Sequence, residues 1–398
     1  MISRRSFLQQ SSLAVAGSLL VPAFLKSLEA QALAPDDKIL VIIQLSGGND
    51  GLNTVIPFAD DLYYKARPGL AVEPAKVLRL NDHQGLHPAM EQLQSLYKDG
   101  LMTVFNSVGY PNPDRSHFRS MDIWQTASNA DEYKTTGWLG RYLDASCTRQ
   151  CQPHEAIEVD DTLSLALKGE LVKGIALQDP KKLYANVHSP IFEKVARAKP
   201  TEAAHENVAY LYKTIAETSS SADYIYEKSK IQASKAAYPA SQLAKRLKTV
   251  AGLINSGVAS RVYYVSMSGF DTHVRQEAQQ SRLLKEYADG VAAFVRDLQQ
   301  QKRMDQVMIL TFSEFGRRVG QNASNGTDHG TANNLLVING KLRKPGFFNA
   351  APNLADLDDG DLKFQLDFRN LYATLVRKWL QADPGTVLGR NFDLVDFV

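Results

Sequence analysis

The chain has 398 residues, with 45 Lys plus Arg against 43 Asp plus Glu, two cysteines and 44% apolar residues. That composition suits a globular chain with ample apolar surface to bury, and it excludes both a disordered linker and a disulfide-stapled miniprotein. A formal charge of +2 with no lysine or arginine run excludes an electrostatic nucleic-acid binder.

The chain opens Ser3-Arg4-Arg5-Ser6-Phe7-Leu8-Gln9 and carries no charge from Ser6 to Leu25. Paired arginines before a mildly apolar stretch fit a twin-arginine leader over residues 1–34, which would engage the twin-arginine export machinery. Ala30-Gln31-Ala32 and Ala32-Leu33-Ala34 both offer the small-x-small pattern of a signal peptidase site. Pro22 and the short apolar core argue against an uncleaved anchor, and no later run approaches the roughly 20 apolar residues of a membrane span. The expectation is a mature periplasmic protein, residues 35–398, forming one domain with no membrane span. The leader holds three basic residues and one acidic residue, so the remainder is formally neutral.

Lys38 to Leu45 is an almost continuous β-branched and aliphatic run, the pattern of a strand buried on both faces. It runs into the loop Ser46-Gly47-Gly48-Asn49-Asp50-Gly51. Pro88 to Lys98 has helical spacing, with Met90, Leu93, Leu96 and Tyr97 on one face. Met102 to Ser107 reads as a second strand, and Ser116 opens a helix through Trp124. Cys147 and Cys151 stand four apart, leaving a local disulfide and two free thiols both open. The stretch from about 190 to 257 is rich in Ala, Lys, Glu, Ser and Tyr, and reads as a helical insertion. Arg261 to Ser266 is a strand leading into Gly269-Phe270-Asp271-Thr272-His273, followed by helical spacing from Ala278 to Gln301. Gln306 to Thr311 leads into Phe312-Ser313-Glu314-Phe315-Gly316, Leu335 to Ile338 is a fifth strand, and Phe364 to Leu380 reads as a last helix. Alternating strands and helices predict a three-layer α/β/α fold around a mostly parallel sheet, with ligands at the carboxyl ends of the strands.

The polar residues at those ends are the candidates for chemistry. Asp50, after two glycines, can reach a metal or can close an Asn-Asp-Gly turn. Asp271 and His273, two apart in an extended segment, face one side and could grip one ion. Asp328 and His329 form a second such pair. Glu314 ends an apolar strand as a further carboxylate ligand, or as a partner of Arg317 or Arg318. Ser116, at the start of a helix, is either a nucleophile favoured by the helix N-terminus or a simple cap. No Gly-x-Ser-x-Gly elbow, Walker loop or Gly-x-Gly-x-x-Gly turn is present, which disfavours an α/β-hydrolase serine enzyme and the usual nucleotide sites.

Leu45-Ser46-Gly47-Gly48-Asn49-Asp50-Gly51, Leu86-His87-Pro88-Ala89-Met90, Arg115-Ser116-His117-Phe118, Thr136-Gly137-Trp138-Leu139-Gly140-Arg141, Gly269-Phe270-Asp271-Thr272-His273, Ser313-Glu314-Phe315-Gly316-Arg317 and Asp328-His329-Gly330 occur in that order. With the twin-arginine leader, they make the chain resemble the exported bacterial family of domain of unknown function 1501. That family in turn resembles the alkaline phosphatase and sulfatase superfamily. The resemblance implies a hydrolase of phosphate or sulfate esters, acting on a small anionic ester through a divalent metal ion (Zn, Mn, Mg or Ca). It implies Asp50, Asp271, His273, Glu314 and His329 as metal ligands, to which the pairing with His329 adds Asp328, and Ser116 as nucleophile. Arg115 or Arg119 would neutralise the anion, and His117 or His273 would protonate the leaving group. The chain departs from the superfamily in two places. Asp271 and His273 are two apart rather than four, and Glu314-Phe315 stands where an Asp-His pair is usual. Phenylalanine binds no metal, so the pattern leaves one divalent ion or none. The alternative reading is a catalytically degenerate metal-binding or assembly protein.

Overall fold

The computed structural model describes residues 38–147, 151–197 and 206–398. The expected export leader, residues 1–34, lies outside the described residues.

Nine strands form the central sheet: β1 (Ile39–Ser46), β2 (Met102–Gly109), β3 (Ala156–Glu158), β4 (Ile175–Ala176), β5 (Val262–Ser268), β6 (Val307–Phe312), β7 (Asn333–Ile338), β8 (Gly346–Phe347) and β9 (Leu366–Asp367). Their order across the sheet is β8-β2-β7-β6-β1-β5-β3-β4, with β9 also beside β2. The five longest strands are the five expected from the apolar runs. The four missed strands are two or three residues long, too short to show a period.

β1 lies at the centre, parallel to β5 on one side and to β6 on the other. β3 and β4 continue the parallel run beyond β5, and β8 and β9 pair parallel to β2. β7 alone is antiparallel to its neighbours β6 and β2. Its reversal places its first residue, Asn333, opposite Val108 at the end of β2. The single loop from β6 to β7 therefore lies at the same edge as the loops leaving β1 and β5.

Alternation along β1 divides the core into two. Val41, Ile43 and Leu45 face one layer, packed with Leu247, Val250, Leu284, Tyr287 and Val291. Leu40 and Ile42 face the other, with Trp124, Trp138, Leu371 and Tyr372. Burying each aliphatic side chain of this strand contributes roughly 1.5–3 kcal/mol. The first layer contains α1 (Glu91–Lys98), α4 (Gln242–Asn255) and α5 (Gln276–Gln300). The second contains α2 (His117–Thr126), α3 (Trp138–Ser146) and α6 (Phe368–Thr374). This is the expected three-layer α/β/α arrangement. The described regular elements between 190 and 257 are all helical, and α4 carries Leu243, Leu247 and Val250 into the first layer.

Cys147 and Cys151 are joined by a disulfide. A spacing of four on a regular helix would suit the bond poorly, but α3 ends at Ser146 and Cys147 is already extended. Among the described residues no helix is long and apolar enough to cross a membrane.

Candidate metal centre

The loops that leave β1 and β5 and the single loop that joins β6 to β7 are held together by one side chain. Arg317 is completely buried. Its Nε donates to the Gly48 carbonyl at 2.6 Å, and its Nη1 to Thr327 at 2.8 Å. Its Nη2 reaches the carbonyls of Gly47 and Phe270 and, at 2.7 Å, Asp271 Oδ1. The two glycines make room for the meeting of loops. Gly47 has φ +118°, and a Cβ there would lie 2.5 Å from the Asp271 nitrogen. Gly48 has φ +72°, and a Cβ there would enter the Phe315 ring.

Three histidines converge on this junction, each held from behind through Nδ1. His117, the first residue of α2, donates from Nδ1 to Glu314 Oε1 at 3.0 Å. Glu314 is fully buried, and the same oxygen accepts the Gly47 amide at 2.7 Å. His273 Nδ1 meets Asp328 Oδ1 at 3.3 Å, and His329 Nδ1 donates to the Arg115 carbonyl at 2.8 Å. Carboxylates and carbonyls only accept, so each Nδ1 is the donor in these bonds, and each ring directs its Nε2 at the junction.

Those Nε2 atoms gather around one carboxylate oxygen. His273 Nε2 and His329 Nε2 are 2.9 Å apart, and they lie 3.0 and 3.2 Å from Asp271 Oδ1. His117 Nε2 is 3.6 Å from the same oxygen, buried and without a hydrogen-bond partner. Burial pushes the Asp271 carboxyl up, but the hydrogen bonds from Arg317 and His329 outweigh it and hold the group at about 2. The bond to Glu314 raises the His117 pKa, and burial lowers that of His329. Imidazole nitrogens and a carboxylate oxygen this close are joined either by shared protons or by a cation between them. His117, Asp271 and His329 each offer a ligand atom within 4.8 Å of the others, a spacing that an ion with bonds of about 2.0–2.1 Å can bridge, and His273 Nε2 lies 2.9 Å from His329 Nε2 at its side. The donor set therefore fits a divalent metal ion.

Asp271, His273 and His329 are brought together as the sequence reading expects. Three other expected ligands stand elsewhere. Glu314 and Asp328 sit behind His117 and His273, where they orient the rings rather than face the centre. Asp50 is turned away: its Oδ2 accepts Arg67 Nη1 and Gln276 Nε2, both at 2.5 Å. Arg67 is itself buried and also donates to the carbonyls of Val319 and Arg318. That ion pair closes a polar core between distant segments, and nothing in the spacing of Asp50 and Arg67 announces it.

His117, expected to move a proton, instead adds a third imidazole to the cluster. Ser116 is the exposed N-cap of α2, makes no capping bond, and lies between two residues that both touch the cluster. Arg119 donates to the carbonyls of Asn129, Ala130 and Glu132, away from the centre. Arg115 pairs through its guanidinium with Asp361. Phe315 packs its ring against His117 and His329 at 4.9 and 4.7 Å, forming an apolar wall where it cannot be a ligand.

A family model described as protein of unknown function (DUF1501) matches residues 37–395. The chain belongs to that family. No curated protein sequence matches it. Among solved structures it is similar to the C-terminal periplasmic domain of EcEptC from Escherichia coli, over 90% of this chain and 87% of that chain, at 14% identity and a TM-score of 0.41. It is similar to the PsFucS1 sulfatase from Pseudoalteromonas sp. over 98% of this chain and 74% of that one, at 11% identity and a TM-score of 0.37. The phosphonate monoester hydrolase SpPMH from Silicibacter pomeroyi aligns over 90% and 77%, at 10% identity and a TM-score of 0.34. With each of these TM-scores below 0.5, the likenesses say nothing about the chemistry of the site.

Two substitutions test the assignments made from geometry. Glu314→Gln should leave the fold intact and weaken zinc binding about 10- to 100-fold, the usual effect of losing a carboxylate behind a ligand histidine, read by chelator competition. Arg67→Met should destabilise the protein by about 3–5 kcal/mol in denaturant unfolding, because Asp50 is left buried and unpaired. Adding Asp50→Asn should recover part of that loss.

Proposed function

We propose that the protein is an exported, metal-dependent hydrolase of phosphate or sulfate esters. One observation supports the reading above the others: three histidines have Nδ1 engaged and Nε2 directed at a single carboxylate oxygen, at the carboxyl edge of a parallel sheet. In this reading His117, His273, His329 and Asp271 hold the ion. Arg317 neutralises and orients Asp271, while Glu314, Asp328 and the Arg115 carbonyl fix the three rings. Imidazole-rich donors suit zinc or another transition metal better than magnesium or calcium, which prefer oxygen. The bound ion would supply Lewis acidity toward an ester oxygen and stabilise developing negative charge.

Ser116 is the proposed nucleophile. It is exposed, opens a ten-residue helix whose N-terminus favours an anion, and is flanked by residues that touch the cluster. His117 has neither ring nitrogen to spare, so the leaving group takes its proton from another source, such as solvent. Among the described residues one group, His117, Asp271 and His329, has its ligand atoms close enough together to hold an ion, with Asp50 and Glu314 committed to protein hydrogen bonds. That commitment also favours a second reading, an exported metal-binding protein without turnover. Export is supported by the Cys147–Cys151 disulfide, a bond of oxidising compartments, and the twin-arginine route by Arg4-Arg5 in the leader.

Elemental analysis of the purified protein, paired with a panel of 4-nitrophenyl phosphate and sulfate esters, tests both readings. The hydrolase reading expects one divalent ion per chain and turnover that falls about a thousand-fold or more in Ser116→Ala with the metal retained. Equal activity in that variant would remove Ser116 from the reaction. Metal without turnover would establish the second reading, and absence of any bound metal after zinc reconstitution would sink both.

A further inference from the structure

The run Leu357-Asp358-Asp359-Gly360-Asp361-Leu362 forms a small hairpin outside the central sheet, with Leu357 paired to Leu362 and Asp358 to Asp361. Asp359 and Gly360 have φ of +49° and +82°, the left-handed pair that closes a two-residue hairpin turn. Asp361 leaves this turn with its side chain only 1% exposed. Its Oδ2 accepts Arg115 Nη2, and Arg318 Nε stands 3.8 Å from Oδ1, which is buried without a hydrogen-bond partner. Burial pushes the Asp361 carboxyl up, against the pull of Arg115 and Arg318. A carboxylate so far out of water is costly unless its partner stays in place.

From Asp361 the contacts run in a closed circuit through the metal centre. The hairpin is fastened to the β6–β7 loop at three points. The Val319 amide donates to the Gly360 carbonyl at 3.3 Å, Thr331 Oγ1 to the Leu362 carbonyl at 2.7 Å, and Arg318 Nη2 to Asp359 Oδ2 at 3.1 Å. The same loop carries His329, whose Nδ1 donates to the Arg115 carbonyl. Arg115 then sends its guanidinium back to Asp361. Other bonds around Arg115 are local: the Asp114 amide meets the Tyr110 hydroxyl, the Ser116 amide meets Asp114 Oδ1, and Ser120 Oγ meets the Asp114 carbonyl. Those bonds hold the loop to its own helix α2, whereas the Arg115–Asp361 pair spans 246 positions and ties it to the hairpin.

We propose that Asp361 is a positioning residue of the metal centre: by anchoring the Arg115 side chain it sets the Arg115 carbonyl, and so the ring of His329, against the cluster. It touches neither the donors nor the nucleophile, and acts on the centre through Arg115. The inference rests on reading the cluster as a metal site, while the orientation of His329 can be measured without metal.

The test reads His329 in the zinc-free full chain, by NMR of protein labelled with heavy nitrogen in its histidine rings. Asp361→Asn keeps the shape and removes the charge. Arg115→Met breaks the same pair from its 41% exposed side, and carries the test if the buried variant fails to fold. Both should speed solvent exchange of the His329 Nδ1 proton about tenfold or more, and leave that of His273, which is held by Asp328, unchanged. Arg115→Lys, which can still meet the carboxylate, should recover most of the protection. Exchange unchanged at His329 would overturn the assignment, and so would equal acceleration at both rings, which marks a general loosening. In protein that binds zinc, Asp361→Asn should weaken binding about three- to tenfold and add nothing in a His329→Ala background. An equal loss in both backgrounds would overturn the positioning role and leave the metal reading standing. A wild type that binds no zinc would end the metal reading, and exchange at His329 would then decide the role of Asp361 by itself.

Discussion

The buried guanidinium of Arg317 is the constraint on which the centre depends. Three loops, two of them remote in sequence from the one that carries Arg317, arrive at the carboxyl edge of the sheet with carbonyls that have no ladder partner there. Arg317 donates to carbonyls at Gly47, Gly48, Phe270 and Thr327 and to the Asp271 carboxylate. Only a planar fork with five donors can serve so many acceptors from one point, and a lysine ammonium could not reproduce it. Without it, buried carbonyls and an acidic side chain would lose their partners together. The glycines at 47 and 48 belong to the same device, because they let the first loop lie against Asp271 and Phe315.

The histidines depend in turn on that frame. A ring free to flip or change tautomer would offer a donor as readily as a lone pair. Here Glu314, Asp328 and the Arg115 carbonyl take the Nδ1 protons, so the three Nε2 atoms face inward. The carboxylates behind the rings therefore matter as much to the centre as the donors in front. Asp271 differs from them because Arg317 holds it low and ionised at the meeting point. Phe315 closes one side with an apolar ring.

Much of the fold was legible in the chain because β1, β2, β5, β6 and β7 are apolar runs whose burial leaves a plain pattern. Short pairings such as Ile175–Ala176 leave none, since two residues carry no period. In the site, Asp271, His273 and His329 were legible as polar residues beside strand ends. The parts played by His117, Glu314 and Asp328 were not. A carboxylate that binds a metal and one that binds the histidine in front of it look alike in sequence, and differ only in which atom lies 3 Å away.

The sequence by itself determined the strand and helix grammar, the edge at which the chemistry gathers and the membership of most of the polar cluster, because hydrophobic period and loop position are local properties. Tertiary structure alone decided that Asp50 turns to Arg67, that Cys147 can reach Cys151 after its helix has ended, and that His117 joins the other imidazoles. It also decided how a motif before a strand could share a site with motifs after strands. The reason is the direction of β7: one antiparallel strand in a parallel sheet brings the loop ahead of it to the edge where its neighbours end, and strand direction is set by long-range pairing that no local pattern encodes.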